Sequence, residues 1–341
     1  MSQRELGDAF SPRAFHDAVN AYGAVPLVIL EENINDWTAR MKDETADLPD
    51  FATLWNYDDP VATRGRFEEL LAVDALPSTY RLQLLTQLAR THSLVDEFDD
   101  ANRVLDEVVA ELDEAEPVVQ VRYLLERGRT FNSSKQKAKR DGKALSANER
   151  IGPEKLFVDA WNIARRAGLD GLAVDAAHMM GIVAEPKEAL EWNERAMAYA
   201  ESSNDPAAKK WLGALYNNMG WTHHDAKRYE RALDLFEKGL AWRTEQGEPK
   251  PTRIAKWSVG RALRSLERID DALKLQLELE AEWTAAGDQD GFVFEELGEL
   301  HLAKKDAETA KAYFAKAYEL LQKMGWVEKE RLARIKKLGG L

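Results

Sequence analysis

Residues Leu212–Glu245 read LGALYNNMGWTHHDAKRYERALDLFEKGLAWRTE, and the spacing within them decides the fold. Apolar residues recur at helical spacing on both sides of a short polar break, which predicts two antiparallel helices joined by a tight turn. Two helices approach most closely where the residues between them are small, and larger apolar side chains fill the grooves beside the crossing. Gly220 marks the crossing on the first helix and Ala232 marks it on the second, 12 residues on.

The same distance returns on both sides of this stretch. Gly260 pairs with Ala272, Gly298 with Ala310, and Ala89 with Ala101, each 12 apart. Two units depart from it. VRYLLERGRTF opens a unit at Gly128, but its second helix resumes only at EKLFVDAWNIARRAG, with Leu156 expected in the alanine place and Ala160 and Ile163 inward. Between them lies a basic insertion, 134–152, expected to be a polar loop. The unit around Gly181 and Ala189 is shortened, with Pro186 ending one helix and starting the next. PVATRGRFEELL, from Pro60, reads as the second helix of a partial first unit. The links EQGEPK and AAGDQD carry glycine where a helix needs a left-handed stop. The pattern divides the chain into an N-terminal helical extension (1–45), an array of about six repeats plus the partial one (46–326) and a capping helix (327–341).

Tyr216, Met219, Gly220 and His223, with Ala232 and Phe236, resemble the two halves of the tetratricopeptide repeat. The long spacing, with successive glycines 40 and then 38 apart, resembles kinesin light chains and bacterial peptide-sensing regulators. The resemblance implies an all-α, right-handed superhelical solenoid that binds a peptide or protein segment along its first helices. The N-terminal run is of another kind. Phe15, His16, Asp17, Gly23, Pro26, Leu27, Leu30, Glu31 and Trp37 resemble the C-terminal tail of a helical bacterial zinc-peptidase-like family. That family's metal-binding H-E-x-x-H is missing from this sequence, so its activity does not carry over.

Composition narrows the functions. The 341-residue chain is 45% hydrophobic, enough for a continuous core. Its net charge of −13 argues against general nucleic-acid binding, which needs a basic face. With no cysteine there is no disulfide and no thiolate chemistry. No secretory signal is read at the start and no apolar run suits a bilayer, so a cytoplasmic place is expected. No nucleophile elbow, phosphate loop or metalloprotease motif occurs, and no enzyme activity or cofactor is expected. His223, His224 and Asp225 are helix neighbours that point apart, so they do not converge on a metal.

Projecting each first helix gives the side facing away from its partner, and hence the peptide-binding candidates. These are Arg90, Arg122, Arg129, Asn132, His178, Asn217, Asn218, Trp221, His224, Trp257, Arg261, Arg264 and Glu295. Asparagine amides can clamp a peptide backbone, arginine can grip a carboxylate through two bonds, and tryptophan anchors interfaces. A segment bearing carboxylates is the expected partner. The same residue types also suit packing between repeats, with arginine paired to a neighbouring glutamate. Two other functions fit the sequence: an accessory subunit of a peptidase-like enzyme, and a ligand-gated regulator.

Overall fold

A computed structural model of the chain describes residues 12–21, 25–45, 48–73, 76–144 and 152–341. Its contacts divide into two units, Met1–Trp192 and Asn193–Leu341. Among the described residues there is no strand, and no helix is long and apolar enough to cross a membrane.

In unit 1, α1 (Pro12–Ala21) and α2 (Leu27–Thr45) pack on each other, with Phe15 edge-on to Trp37 at 5.9 Å. A single 3-10 turn, Phe51–Leu54, leads into α3 (Pro60–Leu71). Asp59 caps α3 by accepting from the Ala62 amide, and Pro60 stands in the first turn, where a missing N–H costs nothing. Then follow α4 (Ser78–Leu94), α5 (Phe98–Val109), α6 (Pro117–Arg140), α7 (Glu154–Ala167) and α8 (Asp170–Val183), each packed on the one before it. Beyond these neighbours, α6 also packs on α4 and on α8. Phe67, Leu84 and Leu105 are fully buried at the centre of the first core cluster. The unit boundary falls inside α9 (Pro186–Ser202).

Unit 2 continues with α10 (Pro206–Lys209), α11 (Leu212–Asp225), α12 (Tyr229–Glu245), α13 (Pro249–Ser265), α14 (Ile269–Ala285), α15 (Gly291–Ala303), α16 (Ala307–Leu321) and α17 (Lys329–Leu338). From α11 onward each helix packs on the next. Two core clusters fill the spaces, one around Phe236, Ala262 and Leu300, the other around Leu297, Phe314 and Ile335. The all-α solenoid of helix-turn-helix repeats expected from the sequence is thus present in both units.

The crossings show why glycine is required. A Cβ on Gly220 would lie 2.3 Å from the Phe236 ring, and one on Gly298 3.0 Å from Phe314. The partner of the crossing glycine is therefore the large residue one turn after the small alanine. This corrects the register of the irregular unit. A Cβ on Gly128 would lie 2.6 Å from the Phe157 ring, so Pro153 takes the alanine place, and Leu156 is turned aside and half-buried. Ala160, Trp161 and Ala164 are buried there, whereas Ile163 is only half-buried.

The insertion also differs from a loop at its start. Residues 132–140 hold no glycine or proline, and α6 continues through them to Arg140. Lys137 Nζ meets Asp96 at 2.7 Å, Ala138 is buried, and Gly142, with φ +66°, stops the helix. Residues 145–151 of the insertion lie outside the described ones.

The links between repeats behave as their glycines require, with φ of +69° at Gly247 and +73° at Gly287. The tighter turns inside repeats do something the sequence does not announce. Asp96, Lys227, Glu267 and Lys305 all take left-handed φ, between +58° and +65°, without being glycine.

Candidate functional site

The candidate residues of unit 1 are engaged with one another. Arg129 donates to Glu126 at 2.6 Å and also binds Asp175, while Arg90 lies 3.7 Å from the other Glu126 oxygen. Two cations and two carboxylates, from α4, α6 and α8, thus offset each other. Glu126 is 4% exposed and Asp175 8%, so these charges depend on their partners rather than on water. Its two carboxylates hold the Arg129 guanidinium's pKa above its ordinary value despite burial, whereas burial lowers that of Arg90.

The segment before α3 closes over this face. Trp55 donates its indole N–H to Gln87 at 3.1 Å and stacks on Tyr57 at 4.7 Å. Arg122 donates to Gln83 at 3.0 Å, with its guanidinium 5.4 Å from the Phe51 ring centre. Burial pushes the Tyr57 phenol up, with Arg90, Glu126, Arg129 and Asp175 all close enough to act on it. Asn132 and His178 are half-buried on α6 and α8.

Unit 2 differs. Trp221, Trp257 and Phe292, on α11, α13 and α15, form a row with Trp326, from the turn before α17. Ring centres are 5.7, 6.0 and 5.6 Å apart along it. Trp257 is fixed by donating its indole N–H to the Phe292 carbonyl at 3.1 Å. The row lines a cleft of about 680 Å³, completed by Ile254, Trp283 and Met324 and by the polar residues Lys250, Asp288, Gln289 and Asp290. Ile254 also lines a neighbouring slot of about 330 Å³ that holds Asn217 and Asn218 among small residues, including Gly213, Ala214 and Gly239. The two asparagine side chains meet each other at 3.3 Å.

The unit 2 arginines expected to grip a partner's carboxylate hold one of the chain's own. Arg264 binds Glu296 through two bonds, 2.7 and 2.8 Å, and Arg261 lies 3.2 Å from the same carboxylate. Glu296 is 3% exposed. Glu295 is likewise held by Arg331 of α17 at 2.6 Å, and Glu299 by Arg334. His224 meets the Ser265 hydroxyl at 2.9 Å; burial, and then Arg261, lower its pKa.

Sequence reasoning missed Trp326, Trp283, Asp288 and Asp290, and on the other unit Trp55 and Tyr57. A signal for Trp326 was present. Trp221, Trp257, Phe292 and Trp326 are spaced 36, 35 and 34 residues apart, an aromatic period that counting from the crossing glycines conceals. Among the described residues one group has metal-ligand geometry, His92, Glu97 and Asp100, but Arg64 already pairs with Glu97 at 2.7 Å.

Family models of the tetratricopeptide repeat match residues 212–245 and 293–321. These two stretches are tetratricopeptide repeats. Both matches lie in unit 2, and the peptidase-like resemblance of the N-terminal residues is not among them. A search of curated proteins returns no significant match. Among solved structures, the chain is similar to a signal-transduction ATPase with a tetratricopeptide repeat sensor from Pyrococcus horikoshii. That match has a TM-score of 0.62 and 15% identity over 99% of this chain, which spans only 53% of that protein. The apo form of RapI matches with a TM-score of 0.50 and 14% identity, over 90% of this chain and 79% of RapI. At such identities the likeness is one of fold.

Proposed function

We propose that this tetratricopeptide protein is a non-catalytic scaffold that binds a protein or peptide segment along the first helices of unit 2. The observation that supports it is the aromatic row. Four rings from successive repeats line one cleft, and Trp326 stands in it 71% exposed. An exposed tryptophan on a contiguous apolar surface is costly to keep in water and is a common anchor at interfaces. The asparagine pair beside the row offers donors and acceptors to a backbone laid across it.

The expected preference for carboxylates finds less support. A carboxylate reaching Arg261 and Arg264 would displace Glu296, leaving a buried charge without its partners. Exchanging one carboxylate for another in the same fork yields little net affinity. The alternative of a sensor module rests on likeness of fold alone.

The test is affinity capture with the full chain and with a Trp221→Ala, Trp326→Ala variant of unchanged helix content. Partners retained by the wild type should be lost by the variant. The same partners on both would place binding elsewhere.

A further inference from the structure

We infer that the cleft of unit 2 takes a cationic side chain, an arginine or lysine carried on a segment of the partner protein. The inference rests on the reading of this cleft as the partner site. Two features of the lining carry it.

The first is the walls. Trp257, Trp283, Phe292 and Trp326 line the cleft, and the face of an aromatic ring attracts a cation. The chain already uses two of these rings in that way. The Arg253 guanidinium lies 4.2 Å from the Trp283 ring centre, and that of Arg331 lies 5.0 Å from Phe292. Trp326 stacks on Phe292 with one face, and its large exposure leaves area for a further partner.

The second is charge. The turn between α14 and α15 puts two carboxylates, Asp288 and Asp290, on the same cleft. Asp290 caps α15 by accepting from the Phe292 amide at 2.8 Å. Burial, and then the charge of Asp288, hold its carboxyl above the usual range; its two backbone hydrogen bonds and Lys250 offset this only in part. A neutral anchor would fill the volume and leave the two carboxylates with Lys250 as the one cation among the lining residues. An acidic anchor would add a third negative charge. A cation meets both the ring faces and the carboxylates.

The test selects a display library of random peptides on the full chain, with counter-selection on Trp326→Ala. Trp326 is exposed enough for its removal to spare the fold. Selected peptides are then measured by fluorescence polarisation on wild type and on an Asp288→Asn, Asp290→Asn variant, in which asparagine keeps the helix cap. The Trp326-dependent peptides should share an arginine or lysine at one position. Replacing it by norleucine, or using the asparagine variant, should weaken binding about tenfold. If the asparagine variant does not fold, the norleucine comparison alone decides. A shared apolar or acidic residue, with norleucine tolerated, overturns the cationic anchor and leaves the cleft as the partner site. Failure to recover any Trp326-dependent peptide overturns both readings.

Discussion

Single residues hold the repeats together by being small, or by taking a conformation that costs energy. Gly220 and Gly260 occupy the same place in successive repeats but face different neighbours. A Cβ at Gly220 meets the fully packed Phe236 ring, whereas one at Gly260 meets the amide end of Gln276 at 2.4 Å. The ring cannot yield without shifting the core; the amide can rotate. Gly220→Ala should therefore cost roughly 1–3 kcal/mol by overpacking and Gly260→Ala clearly less, as measured by urea denaturation. The left-handed turn residues invite the opposite change. A side chain at positive φ is strained by about 1 kcal/mol, so Glu267→Gly should stabilise the chain by roughly half to one kcal/mol after the added freedom of the unfolded chain is offset. A lower denaturation midpoint for Glu267→Gly would mean that the side chain makes up for its backbone. The arginines around Glu296 belong to this scale too. Arg261→Ala with Arg264→Ala leaves a buried carboxylate unpaired and should lower the melting temperature clearly, whatever it does to binding. An unchanged melting temperature would show those arginines to be free of structural duty.

At the level of elements, the helix pairs are repetitive and the segments that break the repetition are informative. The strap from Pro49 to Tyr57 precedes α3, the second helix of the partial repeat. It covers the fully buried Phe67 with Trp55, edge-on at 5.4 Å, and accepts from the Tyr80 hydroxyl through the Pro49 carbonyl at 2.8 Å. By contrast, α1 and α2 pack on each other. Removing residues 1–45 should leave a cooperative transition within a few degrees of the full chain, while removing 1–58 should lower it strongly by uncovering the first core cluster. Equal melting of the two truncations would refute the structural role of the strap. The basic insertion divides in the same manner. Deleting 143–150 shortens a link, at roughly 0.6 kcal/mol per doubling of length. Extending the deletion back to Lys135 also removes the helical turns that bury Ala138 and place Lys137 on Asp96, and should cost more.

For the molecule as a whole, one dependence on pH follows from burial. The imidazoles of His223 and His224 are buried in unit 2, and desolvation holds both below their ordinary range. In the unfolded chain a histidine titrates near about 6.5. Below that value the unfolded state binds more protons than the folded one, so stability falls as the pH falls. The contribution is fully present above about 6.5 and is lost as the pH drops through the lowered folded values. Melting should be lower at acid pH than at neutral pH, and His224→Gln should narrow the difference; an unchanged difference would assign it to carboxylates instead.

The repeats could be read from the amino-acid order alone, because they depend on neighbours close along the chain. The crossing of Gly220 with the second helix, the stop at Gly247 and the start at Pro60 each follow from steric rules acting within one helix pair. The same locality let the reading fail where spacing broke: with the long insertion between Gly128 and its partner, Leu156 was put in the alanine place that Pro153 takes, three residues out of register. Which groove residues are already engaged became visible only with the helices packed together. Arg264 and Glu296 are 32 residues apart, Arg129 and Asp175 46 apart. Whether an arginine faces a carboxylate or water depends on how successive repeats set their helices side by side. No helical period records that, since a projection gives the direction of a side chain and not what stands opposite. The aromatic row is the intermediate case: its spacing was written in the chain, but its rings became one surface only when four separate elements were stacked.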